Sequence, residues 1–217
     1  LPHPLHLFEF LTHSGHYHFG LFDSVEDSLP EAMERMTGWV AGQFDAPSTV
    51  LDVGCGIGGT SEQLAARGCH VTGIDPSSRS IDFARGRTSR TLHGCRFAAC
   101  DLATFLVRGP GRYDGLVFSE VLQHFASLDR LFSDARRLVR DDGKLVVCDV
   151  VMTVDAPRHR VPYHRAGAIA LAARIAGFEC ESEDETTERI LPTLTALLQC
   201  LREEREDIVA FFPQALQ

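Results

Sequence analysis

An α/β fold is what this sequence predicts: a mostly parallel sheet with helices on both faces, entered through an N-terminal helical segment. Short apolar runs alternate with amphipathic stretches from Thr49 to Val151, the rhythm of strands that reach parallel neighbours through helices. The first run ends in a cluster of glycines, VLDVGCGIGGT, which suits a tight strand-to-helix turn. The 217 residues are 44 % apolar, enough for a real core, and hold no repeat, low-complexity stretch or linker. One domain is therefore expected over 1–217, with an N-terminal helical cap in 1–45 and the α/β core in 46–217.

The elements follow in order. DSLPEAMERMTGWVAGQF sets Leu29, Met33, Met36, Val40 and Phe44 at helical spacing, with Ser28 as cap and Pro30 and Glu31 in the first turn. APS then breaks the chain. TVLDVG is the first strand, and GTSEQLAARG is a helix ended by Gly68. HVTGID is the second strand, SRSIDFARGR the next helix, CRFAACD the third strand and YDGLVFSE the fourth. LDRLFSDARRLVR is helical and GKLVVCDVV is the fifth strand. A helical AGAIALAARIAG, a strand-like FECESEDET and a long helical PTLTALLQCLREEREDIVAFFPQAL complete the chain.

Charge and cysteine usage narrow the class. The formal net charge is −9, which repels a phosphate backbone, so nucleic acid is not an expected partner. The densest basic run, Arg79 to Arg90, reads as an exposed helix and its exit. Seven cysteines with no CxxC pair, several in strand-like runs, suit reduced, buried thiols in a cytoplasmic protein. No apolar run is long enough to span a bilayer and the start does not read as a signal peptide, so no membrane is expected.

The glycine loop is the strongest local signal. Gly54, Gly56, Gly58 and Gly59 lie between a buried strand and a helix, where bare backbone admits a ligand and the helix start offers unpaired N–H groups. Gly54, Gly56 and Gly59 also satisfy GxGxxG, the dinucleotide pattern. Three acids decide between ligands. Asp52 sits two residues before the first glycine, where it would repel a pyrophosphate but suits an ammonium. Asp75 ends the second strand in GIDPS, where an acid can accept from both ribose hydroxyls. Asp101 ends the third strand in ACDLATF, placed to meet an adenine amino group, with the Leu102 N–H toward the ring. One acid per strand end outlines an adenosine that carries an amino acid.

Taken together these segments resemble the class I S-adenosylmethionine-dependent methyltransferases. VLDVGCGIGGT resembles their first motif, GIDPS the acidic second, ACDLATF the third, and YDGLVFSEVLQHF and GKLVVCDVV the later ones. The likeness is strong from Val50 to Val151. It implies a Rossmann-like seven-stranded sheet of order 3-2-1-4-5-7-6, the seventh strand antiparallel, with GFECESEDET as the sixth strand and the segment near ERILPTL leading to or containing the seventh. It implies S-adenosyl-L-methionine as cofactor and S-adenosyl-L-homocysteine as product. The implied cofactor-binding set is Asp52, Gly54, Cys55, Gly56, Gly58, Asp75, Pro76, Asp101, Leu102, Ser119 and Tyr17.

The fourth strand runs into SEVLQHF, without the [N/D]PP[Y/F] tetrad of methyltransferases that act on bases or protein amides. It is similar to the small-molecule group: sterol, tocopherol, alkaloid and natural-product methyltransferases. Glu120 and His124 match an E-x-x-x-H segment that faces the substrate there, although Gln123 stands where some relatives have a second acid. Independently, an oxygen or carbon nucleophile must lose a proton, and imidazole titrates near neutrality. His124 and Glu120 are the expected catalytic pair; His124 as a backbone-bonded turn residue and Glu120 as an orienting group are the alternatives.

HFGLFD, His18 to Asp23, is similar to an N-terminal H-x-G-x-aromatic element that in this group folds over the cofactor. Tyr17 and Phe19 are the expected lid residues, an aromatic face being suited to a sulfonium, and His18 the expected polar contact to substrate. His13, His16 and His18 also raise a metal reading, but Gly15 argues against a helix that would align them and no acid lies between them. No metal is expected. APRHRVPYHR, Ala156 to Arg165, follows the fifth strand and offers Tyr163 and His164 to substrate. The stripe Leu194, Leu197, Leu198, Leu201 packs on the domain or forms a homodimer contact. The leading expectation is a small-metabolite methyltransferase acting on O, N or C. A non-catalytic S-adenosylmethionine-binding subunit and an NAD-dependent oxidoreductase are the alternatives.

Overall fold

The computed structural model of the chain describes residues 12, 15–24, 26–88, 94–152 and 163–206. Two compact units emerge, Leu1–Trp39 with Asp184–Gln217, and Val40–Glu183. The second unit holds the sheet.

Its five strands are β1 (Thr49–Val53), β2 (His70–Asp75), β3 (Cys95–Ala99), β4 (Tyr113–Ser119) and β5 (Val139–Cys148). They are ordered β3-β2-β1-β4-β5, and each adjacent pair is parallel. Helices α2 (Gly59–Ala66), α3 (Ser78–Thr88), α4 (Leu102–Val107) and α5 (Leu128–Leu138) connect them, and α6 (Ala166–Ile175) follows β5. β1 is central, and Val50, Leu51 and Val53 make it apolar around Asp52. Val50, Leu51 and Val53 are buried with Leu116 and Phe118 of β4, consistent with a strand covered on both faces. One cluster joins Leu51, Val53, Leu116 and Phe118 to Phe105 of α4 and to Leu131, Ala135 and Leu138 of α5. The second joins Cys55, Ile81, Ala84 and Phe97. Full burial of a side chain such as Phe118 contributes roughly 1.5–3 kcal/mol each time.

Local sequence sets the boundaries. Ser127 caps α5 by accepting from Arg130 N at 3.2 Å. α5 was expected to reach Arg140, but it ends at Leu138 and β5 begins at Val139. There Val139 pairs with Tyr113 before a register shift, while Arg140 pairs with Asp114, and Arg136 with Asp141 at 2.9 Å. Gly115 lies under the ring of Phe44, where any Cβ would overlap it.

The expected seven-stranded order 3-2-1-4-5-7-6 is corrected to five strands among the described residues. Phe178–Thr186 has no regular structure and is mostly exposed. Beyond Phe178, which packs edge-on to Phe132 with ring centroids 6.4 Å apart, the segment carries Glu179, Glu181, Glu183, Asp184 and Glu185. It has no second large apolar side chain to bury, and Asp and Glu are poorly suited to a half-buried strand. ERILPTL is helical instead, as α7 (Thr187–Ile190) and the start of α8 (Pro192–Glu203). Pro192 fits the first turn of α8, where no N–H is needed.

In the first unit, α1 (Leu29–Ala41) opens with a capping box. Ser28 Oγ donates to Glu31 Oε2 at 2.6 Å, Ser28 N does so at 3.0 Å, and Glu31 N donates back at 3.4 Å, as the S-x-x-E spacing suggests. Phe22, Leu29, Ala32 and Met33 form its core with Ala196 and Leu197 of α8. Leu194, Leu198 and Leu201 are exposed, so only Leu197 of the apolar stripe joins that core. No helix among the described residues is long and apolar enough to cross a membrane.

Candidate active site

In a doubly wound sheet a ligand crevice forms at the carboxyl ends of the strands, where the strand order reverses. Here that point lies between β1 and β4. The glycine loop leaves β1 at this edge. Gly54 N and Cys55 N both donate to Ile74 O, at 2.8 and 3.0 Å, folding the loop onto β2. Gly54, Gly56 and Gly58 have φ of 75, 52 and 88°. At Gly54 a Cβ would also stand 2.5 Å from Val121 Cγ1, so loop and β4 exit touch only because no side chain intervenes. At Gly56 a Cβ would meet nothing within 4 Å, which leaves bare backbone beside open space.

The three acids stand along this edge. Asp52 is 2 % exposed and accepts from Ser61 Oγ at 2.6 Å. Desolvation pushes its carboxyl up to about 6; the Ser61 bond opposes the shift and nearby Asp75 adds to it. Asp75 uses both oxygens locally, accepting from Gly56 N at 3.1 Å and Ser77 N at 2.8 Å. Pro76 between them is exposed. Cys100 N donates to Asp75 O at 3.0 Å, which sets the β3 exit alongside. Asp101 caps α4 through Thr104 N at 2.7 Å; the hydrogen bonds from Thr104 hold its carboxyl below the usual range. Leu102 is buried behind it. Burial drives the Cys55 thiol far above its ordinary value, so it packs as an uncharged group.

The fourth strand ends at Ser119, opposite Cys148. Glu120 follows with φ 51°, in the left-handed region that a residue with a Cβ rarely adopts. Leu122–His124 then forms a short 3-10 turn, with His124 exposed on it. Glu120 N donates to Cys148 O at 2.7 Å, and Val121 N and Leu122 N both donate to Asp149 Oδ2, at 2.9 and 2.8 Å. Gln123 Nε2 donates to Glu120 O at 2.8 Å, which fixes its amide orientation; its buried Oε1 has no hydrogen-bond partner among the described residues. His164 Nε2 reaches Leu122 O at 3.0 Å. Because a carbonyl only accepts, that nitrogen carries a proton. Tyr163 beside it is half-buried.

Asp149 was missed by sequence reasoning. Its signal was an acid breaking the apolar run VVCDVV at the strand exit. The second unit thus gathers Asp52, Gly54–Gly58, Asp75, Asp101, Ser119, Glu120 and His124 at the strand-exit edge, with His164 against the turn.

The histidine-rich stretch belongs to the first unit. His16 and His18 are buried, and their rings lie 5.1 Å apart. His18 Nδ1 donates to Phe19 O at 2.8 Å, and its Nε2 lies 2.7 Å from the Thr37 hydroxyl, which itself donates to Met33 O at 3.1 Å. His16 Nδ1 lies 3.1 Å from the same hydroxyl. Burial holds His18 below its ordinary pKa, against the Phe19 bond. Both ring nitrogens of His18 are therefore engaged within its own unit. Gly20 is required here because a Cβ would stand 2.7 Å from Ala32 Cβ. Tyr17 is 53 % exposed and Phe19 half-buried. Among the described residues no group of three or more His, Cys, Asp or Glu could hold a metal ion. His13 and Ala156–Pro162 of the sequence expectations lie outside the described residues.

A family model described as a methyltransferase domain matches residues 25–183. The chain is 34 % identical over 96 residues to a ubiquinone biosynthesis O-methyltransferase of Coxiella burnetii, covering 44 % of this chain and 41 % of that one. It is 32 % identical over 146 residues to the methyltransferase GfsG of Streptomyces halstedii, covering 65 % and 52 %. It thus spans about two-fifths to one-half of the length of these relatives. The [4+2]-cyclase SpnF shares the fold at TM-score 0.85 and 22 % identity, over 98 % of this chain and 83 % of that one. Coclaurine N-methyltransferase, solved with N-methylheliamine and S-adenosylhomocysteine, does so at TM-score 0.80 and 18 % identity, over 92 % and 65 %.

Proposed function

The chain belongs to the methyltransferase domain family, and on that premise we propose that it transfers a methyl group from S-adenosylmethionine to an oxygen, nitrogen or carbon of a small metabolite, as a natural-product tailoring enzyme does. The observation that carries the reading is the row of acids on adjacent strand ends around a glycine loop. Asp52 is a carboxylate buried beside a second acid and raised to about 6. Such a group is costly alone and favours a cationic ligand. A dinucleotide pyrophosphate would meet the same carboxylate as a repulsion, which sets the oxidoreductase reading aside.

When bound, the cofactor supplies a sulfonium methyl to an in-line nucleophile. Asp52 would hold the ammonium of its methionine end. Asp75 would hold the ribose hydroxyls, Asp101 and the Leu102 N–H the adenine, and Gly54–Gly58, with Pro76 and Ser119, would line the backbone path between. His124 accepts the proton of the attacking hydroxyl or activated carbon, while Glu120 orients the nucleophile. Alignment and exclusion of water account for most of the rate, since the electrophile is already activated. Tyr17, Phe19 and Tyr163 are assigned to the cofactor and acceptor from the sequence alone.

The test pairs binding with turnover. S-adenosylhomocysteine is titrated calorimetrically. Methyl transfer from radiolabelled S-adenosylmethionine is then followed to catechols, phenolic acids, hydroxylated fatty acids and amines. Saturable binding with turnover that His124→Ala lowers by about 100-fold, a usual range for loss of a general base, supports the reading. Binding without turnover across the panel favours a non-catalytic S-adenosylmethionine-binding subunit.

A further inference from the structure

The turn that carries Glu120 and His124 is gripped from the neighbouring strand, and we propose that Asp149 is the positioning residue that aims it, an inference that rests on the methyltransferase reading above. A single oxygen, Asp149 Oδ2, accepts from two consecutive amides, Val121 N at 2.9 Å and Leu122 N at 2.8 Å. These are leading N–H groups of the 3-10 turn, the kind that finds no partner inside a turn of its own. Holding both fixes the planes of two successive peptides. Glu120 immediately before them is left at φ 51°, a conformation that persists only when its surroundings over-determine it.

Three further bonds close on the same five residues. Cys148 O accepts from Glu120 N at 2.7 Å. Glu120 O accepts from Gln123 Nε2 at 2.8 Å, and Leu122 O from His164 Nε2 at 3.0 Å. Cys148 and Asp149 are consecutive, so the end of β5 holds Glu120 by its backbone and the next two residues by a charged side chain. Among the described residues beyond β5, Asp149 binds donors of the turn and His164 binds a carbonyl, so they grip opposite polarities of the same backbone. Burial pushes the Asp149 carboxyl up, and the amides of Leu122, Val121 and Val150 pull it back. Loss of the carboxylate removes the acceptor of both the Val121 and Leu122 amides, and Glu120 relaxes toward an ordinary φ with its carboxylate redirected.

The experiment compares the wild-type chain with Asp149→Asn and Asp149→Ala. In wild type, Glu120 shows the strong intraresidue amide-to-Hα NOE of a positive φ. Asp149→Ala loses that NOE, and its Val121 and Leu122 amides exchange about tenfold faster or more, as locally opened bonds do. The Gly54 and Cys55 amides, bonded to Ile74 O, exchange as before. Asp149→Asn keeps an oxygen acceptor and lies between. The Kd for S-adenosylhomocysteine stays within about threefold in both variants, while kcat with the fastest acceptor of the panel falls about tenfold or more in Asp149→Ala. That kcat is partly restored in Asp149→Asn, and KM for S-adenosylmethionine is unchanged. Retention of the Glu120 NOE and amide protection in Asp149→Ala overturns the proposal, as does an unchanged kcat. Wild-type protein that fails to bind S-adenosylhomocysteine or to methylate any acceptor overturns the parent reading instead, and does so without altering the NMR readouts.

Discussion

The buried carboxylate of Asp52 makes ligand binding depend on pH in a way that can be worked out. With its carboxyl near 6, Asp52 is about one-tenth ionised at pH 5 and about nine-tenths ionised at pH 7. The ammonium and carboxylate of S-adenosylhomocysteine hold their charges across that range. If the ammonium binds the ionised acid, affinity rises about tenfold from pH 5 to pH 7, or about 1.4 kcal/mol. Binding near pH 6 then releases a proton, seen as a dependence of the apparent enthalpy on the buffer's ionisation heat. The stability of the ligand-free protein moves the other way. The folded carboxyl is raised from 3.8 to about 6, so between those values the native state holds a proton that the unfolded chain has released. Stability therefore falls as pH rises through that window, by about 3 kcal/mol at most from this group. Ser61→Ala removes the bond that holds the carboxyl down and moves the binding midpoint to higher pH. A Kd that is flat from pH 5 to pH 7, or a slope that survives Asp52→Asn, refutes the role given to Asp52.

Substitutions at three other positions change stability in a defined direction. Gly54→Ala meets both a left-handed backbone and Val121, so urea denaturation should show a loss of about 2–5 kcal/mol. Glu120→Gly and Glu120→Ala remove the same carboxylate, but only glycine relieves the positive φ, so the glycine variant unfolds about 1 kcal/mol later. Both should lose methyl transfer alike. Thr37→Val strips the hydroxyl shared by His16 and His18. Two buried imidazoles left short of a partner cost about 1–3 kcal/mol, measurable as a lowered Tm.

Much of the sheet and its glycine loop could be read from the sequence because both follow from local rules. TVLDVG and HVTGID are buried strands bounded by turn residues, and the acids at 52, 75 and 101 occur where apolar runs stop. The sheet edge beyond β5 was not legible. FECESEDET alternates only over its first residues before the acids accumulate, and ERILPTL has a proline that serves a helix start as readily as a strand break. Histidines at 13, 16 and 18 suggested polar function, yet His16 and His18 are satisfied by Thr37, a partner on α1 that no local spacing reveals. Asp149 escaped for the same reason: its partners are amides at 121 and 122, which carry no side-chain signature. Glu120 was legible as a residue but not as a conformation, since nothing in SEVLQHF announces a positive φ.

The most direct test of the central claim is a calorimetric titration of the protein with S-adenosylhomocysteine, run with and without a strong chelator. One site per chain is expected, with micromolar affinity of about −8 kcal/mol, indifferent to the chelator and weakened in Asp75→Ala. Absence of binding would contradict the reading of the glycine loop and its acids. Binding abolished by the chelator would make a metal part of the site and the assignment of the strand-end acids wrong.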